Sequence, residues 1–162
     1  MKSMFRPLLF LSMLFVASSL WAQLPVMANP NHEQMLAGQD AKVVTNKRLV
    51  YDFWREVLEG GHLELADKYL AVSYIQHNPN VPTGRAGFVE FFGKLAKQKT
   101  IESRIKAPLV AIVGEGDMVI LAFVHENTDP KDPTKKYTTT WFDMFRIENG
   151  RIVEHWDSAT KR

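Results

Sequence analysis

The chain has 162 residues, 46% hydrophobic and 23% charged, which excludes a disordered polymer and fits one globular domain. Its formal charge is +2, and removing residues 1–22, which hold Lys2, Arg6 and no acid, brings that to zero. A nucleic-acid partner is therefore not expected, and with no cysteine no disulfide supports the fold.

Lys2 and Arg6 precede an uncharged run from Leu8 to Ala22, shorter than the roughly 20 residues of a spanning helix. Small residues close it at Ala22, or as late as Ala28. This is the pattern of a cleavable signal peptide over 1–22, so the protein is expected to be exported, periplasmic or secreted, and off the membrane after cleavage. Residues 23–44, with Pro25 and Pro30, are read as a tether, and 45–160 as the domain.

The spacing of Val50, Phe53, Trp54, Val57 and Leu58 predicts a helix over 45–59, capped by Thr45 or Asn46 and ended by Gly60-Gly61. A short helix over 62–70 and a strand at 74–77 follow. Asn78-Pro79-Asn80 and Pro82-Thr83-Gly84 punctuate a loop, and Thr83 can cap a third helix over 84–98. Phe88, Phe91, Phe92 and Leu95 would line that helix's inward face. Strands are expected at 101–105, 109–113, 118–126, 137–147 and 151–157, with a hairpin at Glu148-Asn149-Gly150. Helices first and an antiparallel meander after predict an α+β fold, a curved sheet with helices on one face.

The strands place polar residues where alternation predicts apolar ones. Val119, Leu121, Phe123 and His125 share a face, as do Val153, His155 and Asp157. A two-residue turn would pair Asp157 with Phe142. A three-residue turn with a glycine bulge would pair Asp157 with Trp141 and His155 with Asp143, and is preferred. It groups Trp141, Asp143 and Phe145 with Val153, His155 and Asp157, and puts Arg146, Ile152 and Glu154 on the other face. The expected result is a pocket with an aromatic wall (Trp54, Tyr74, Phe88, Phe92, Trp141) and a floor of Asp143, His155 and Asp157, with His77, Asn78 and His125 as further polar groups. Trp156 points away from Asp157 and is expected in a subunit contact.

Tyr74-Ile75-Gln76-His77-Asn78-Pro79, Gly84-Arg85-Ala86-Gly87-Phe88 with Phe91-Phe92, and the ending from Phe142 through Glu154-His155-Trp156-Asp157 resemble SnoaL-like proteins of the nuclear transport factor 2-like superfamily. The resemblance covers about 45–160. It implies a cone-shaped curved antiparallel sheet wrapped by three N-terminal helices, a cavity at one end, and homodimers packed through the sheet. In the family's polyketide cyclases an acidic residue in the last strand acts as acid/base for an aldol closure; the matching residue is Asp157, and His155 matches a neighbouring pocket histidine.

Two functions follow. One is a cofactor-independent cyclase, isomerase or lyase, in which Asp157 moves a proton beside a carbonyl and His155, His125 or His77 donates to the developing enolate oxygen. The other is a non-catalytic periplasmic binding module for a small hydrophobic or carbonyl-containing molecule. No cofactor and no metal are expected: a zinc set of His77, His125, His155 and Asp157 lacks close ligand spacing. An epoxide-hydrolase site would need an inward arginine, and neither Arg85 nor Arg104 is clearly placed inward.

Overall fold

The computed structural model describes residues 23–161; the signal-peptide expectation for 1–22 lies outside them. The elements run α1 (His32–Leu36), α2 (Ala41–Phe53), a π-helical continuation (Trp54–Glu59), a 3-10 turn (Leu63–Leu65), α3 (Ala66–Tyr69), β1 (Leu70–Gln76), α4 (Arg85–Gly93), β2 (Leu109–Glu115), β3 (Met118–Asp129), β4 (Asp132–Glu148) and β5 (Arg151–Asp157). The five strands form one sheet in the order β1-β5-β4-β3-β2. Only β1 runs parallel to its neighbour. This is the expected α+β fold with its helices packed on one face of the sheet.

Alternation sorts the sheet's two faces. Val119, Leu121, Phe123, Phe145, Ile147 and Ile152 are buried against Val50, Phe53 and Val57 from the long helix. Phe53 is central: its ring lies 5.8 Å from Phe88, 5.9 Å from Tyr69 and 6.1 Å from Phe145. Burying side chains of this size contributes roughly 1.5–3 kcal/mol each.

Several local expectations change. Residues 23–44, read as a tether, are docked: Val26 N–H donates to Thr138 Oγ1 at 2.7 Å, Asn29 N–H to Leu109 O at 2.8 Å, and Leu36 is fully buried. The long helix starts at Ala41 with Asp40 as its cap, its carboxylate accepting from the N–H groups of Lys42 and Val43. The expected strand at 101–105 does not form. At its end Ile105 N–H goes to Tyr51 Oη at 3.0 Å, and just beyond it the N–H groups of Lys106 and Ala107 go to the Glu59 carboxylate. α4 stops at Gly93, which leaves Leu95 exposed. Thr83 does not cap it, because Thr83 Oγ1 accepts the Gln76 N–H at 2.9 Å.

The β4–β5 hairpin differs in register and agrees in face. Glu148 pairs with Arg151 across a two-residue turn, and Asn149 and Gly150 have φ of 48° and 68°. Both central residues are left-handed, as a type I′ turn requires. The pairs Ile147 with Ile152 and Arg146 with Glu154 then leave Val153 unopposed, a β-bulge in β5. Beyond it Phe145 faces His155 and Asp143 faces Asp157, two residues from the expected pairing. An even slip preserves the face, so Asp143, Phe145, His155 and Asp157 still point inward. Ile152, expected outside, is fully buried because it precedes the bulge.

Candidate functional site

A cavity of about 260 Å³ opens between the sheet, the end of the long helix and α4. Phe53, Trp54, Leu58, Phe88 and Phe92 wall it from the helices. The π-helical stretch from Trp54 widens the helix there, with Gly60 N–H reaching back to Arg55 O at 3.1 Å, and presents both Trp54 and Leu58. The sheet supplies Tyr74, Gln76, Asp143, Phe145, His155 and Asp157, and the loop after β1 supplies Asn78 and Val81.

The polar floor is one connected network. Asn78 N–H is a donor and points at Gln76 Oε1 at 2.9 Å, which fixes the orientation of that amide. Gln76 Nε2 then donates to Tyr74 Oη at 3.0 Å. His155 Nδ1 lies 2.7 Å from the same Gln76 Oε1, which can only accept, so Nδ1 carries a hydrogen. His155 Nε2 faces Asp143 Oδ1 at 3.0 Å. A hydrogen bond there needs one proton, held either by the imidazole or by the carboxyl.

The two carboxylates sit in different surroundings. Asp143 is 4% exposed, and its Oδ2 is buried without a hydrogen-bond partner. Burial raises its pKa above the usual carboxylate range, against the lowering pull of the His155 and Trp141 side chains; the nearby Asp157 charge raises it further. Asp157 is half-buried, and both its oxygens accept: Oδ2 from Asn78 Nδ2 at 2.7 Å, Oδ1 from Ala159 N–H at 2.8 Å. Burial also raises the Tyr74 phenol, with the Asp143 and Asp157 charges adding to it.

Of the residues expected at the site, the cavity brings together Asp157, His155, Asp143, Asn78, Trp54, Tyr74, Phe88 and Phe92. His77, His125 and Trp141 do not line it. His77 turns to the outer face, where Nε2 lies 2.8 Å from Glu154 Oε1 and the ring stacks on Trp156 at 5.0 Å. His125 and Trp141 share the inner face with Asp143 but lie further along the β3–β4 ribbon, with ring centroids 5.8 Å apart; His125 is exposed. Gln76 was not anticipated. Strand parity could have found it, since Gln76 lies two residues from Tyr74 on the same strand face.

The four-residue zinc set does not assemble, because His77 and His125 are elsewhere. Asp143, His155 and Asp157 can each offer a ligand atom, all within 4.8 Å of one another. An ion there would have to displace the His155–Asp143 hydrogen bond. Among the described residues no helix is long and apolar enough to cross a membrane.

A family model described as SnoaL-like domain matches residues 50–155. No match was found among functionally curated proteins. An LEH-like epoxide hydrolase from M. tuberculosis is 13% identical, with 72% of this chain and 83% of that one covered and a TM-score of 0.50. An NTF2-like protein of unknown function from Burkholderia pseudomallei is 16% identical (72% and 91% covered, TM-score 0.49). A candidate polyketide cyclase from Acidithiobacillus ferrooxidans is 23% identical (70% and 86% covered, TM-score 0.49).

Proposed function

Because the chain belongs to the SnoaL-like domain family, we propose that its cavity takes a small carbonyl compound and moves a proton on it without a cofactor. The reaction class is an aldol-type closure or an isomerisation. One observation carries this reading: two facing carboxylates in different surroundings, Asp143 buried against an imidazole and Asp157 half-buried at the cavity wall. Asp157 is half-buried, accepts two N–H bonds and suits the base. Asp143 is buried, shares a proton with His155 and suits the acid.

An epoxide-opening reaction fits less well. Arg85 donates to Leu70 O at 3.3 Å, and no arginine lines the cavity among the described residues.

The test is deuterium exchange into a panel of small cyclic ketones, followed by NMR. Asp157→Asn should slow exchange at least roughly a hundredfold. Unchanged exchange in that variant would remove Asp157 from the role of base. Ketones that bind the parent without exchange would favour the non-catalytic binding module.

Two further readings accompany this one. The outer sheet face carries Ile75 (42% exposed), Phe142 (51% exposed), Met144 and Trp156, an apolar strip that supports a homodimer packed through the sheet. The basic and apolar start of the chain supports export, which fractionation of cells expressing the full chain would test.

A further inference from the structure

The cavity wall is unbalanced in charge. Asp143, His155 and Asp157 line it, with no lysine or arginine among the described residues. Asp143 and His155 share one proton and are neutral as a pair, whichever partner holds it. Asp157 is the uncompensated group: it accepts from Asn78 and Ala159, and no ion pair reaches it among the described residues. Each carboxylate oxygen has two lone pairs, so accepting capacity remains. The buried Asp143 Oδ2 is a second acceptor left without a partner, on a residue only 4% exposed.

Carboxylate oxygens of Asp143 and Asp157 lie within 4.8 Å of each other. One N–H-bearing group can bridge such a pair with two bonds of about 2.8 Å. The rest of the wall is largely aromatic, and ring faces attract cations.

We propose that the occupant of this cavity is a compact organic cation: a primary amine on a small ring. Its ammonium sits between Asp143 and Asp157, and its apolar body rests against Phe88 and Phe92. The volume of about 260 Å³ limits that body to on the order of ten non-hydrogen atoms. A carboxylate or phosphate would meet Asp157 at close range with no counter-charge and is rejected. The inference rests on reading the cavity as a ligand site and not on the proton-transfer step.

Titration calorimetry of the full domain with 2-phenylethylamine, 2-phenylethanol and phenylacetate tests it. The amine should bind at least roughly tenfold more tightly than the alcohol, lose affinity with added salt, and leave phenylacetate without measurable heat. Asp157→Asn should remove most of the amine's advantage and Asp157→Glu should keep it. An alcohol or acid that binds the parent as tightly as the amine overturns the charge class and leaves the ligand site standing. No binding by any of the three, up to their solubility, overturns the ligand site for compact ring compounds and this inference with it.

Discussion

Gln76 Oε1 lies 2.7 Å from His155 Nδ1, and this contact decides which imidazole nitrogen faces the cavity's buried carboxyl. The amide cannot flip, because Asn78 N–H holds the same oxygen at 2.9 Å. Gln76→Leu should therefore release the ring tautomer as well as weaken the fold. A loss of about 1–3 kcal/mol is expected from the buried partners left unpaired. The readout specific to positioning is the ring nitrogen signal: NMR should detect a hydrogen on His155 Nδ1 in the parent and a mixture of tautomers in the variant. A parent spectrum with Nδ1 bare would contradict the network.

Asp143→Asn should be tolerated by the fold and lost to function. His155 Nε2 can accept from an amide as it can from a carboxyl, so the hydrogen bond survives. Burial raises the Asp143 pKa above 3.8, so the folded chain retains a proton that the unfolded chain has released. That contribution to stability is intact below about pH 3.8 and is lost as pH rises through the folded value. Denaturant titrations from pH 4 to 8 should show the variant gaining on the parent as pH rises, by an amount of order 1 kcal/mol. A gain that grows as pH falls would reverse the sign of this account.

His77 and His125 lie outside the cavity, one on the outer sheet face and one out along the ribbon. His77→Ala and His125→Ala should leave amine affinity and ketone exchange within about twofold of the parent. His77→Ala removes an exposed contact with Glu154 and should cost no more than about 1 kcal/mol. A large loss of binding from either variant would extend the site beyond the walls described.

Phe142 is 51% exposed on the apolar outer strip. Phe142→Lys should shift the protein from dimer to monomer in light-scattering chromatography while leaving its circular dichroism unchanged. A parent that is already monomeric at high concentration would rule out the sheet-packed dimer.

Much of the fold was legible because periodicity reports burial directly. The long helix, the meander and the inward set Asp143, His155 and Asp157 follow from spacings of three-and-four and of two. What was not legible depended on contacts distant in sequence. Residues 101–105 have a strand's composition, yet Tyr51 takes the N–H of Ile105, and Glu59 those of Lys106 and Ala107 just beyond, which a neighbouring strand would need. Thr83 has a cap's chemistry and bonds to β1 instead. His77 directly follows β1, and as the neighbour of inward Gln76 it faces outward, where Glu154 and Trp156 hold it.

Val153 gives the site its dependence on a single inserted position. Upstream of it Ile152 points inward; were the strand to run through Val153 without the bulge, the next inward positions would be Glu154 and Trp156, and the imidazole and carboxylate would face solvent. Deleting Val153 would remove the bulge and the extra position together, so alternation from Ile152 would still turn His155 and Asp157 inward. A relative of the same length lacking the bulge would instead carry a different set of side chains in the same hollow.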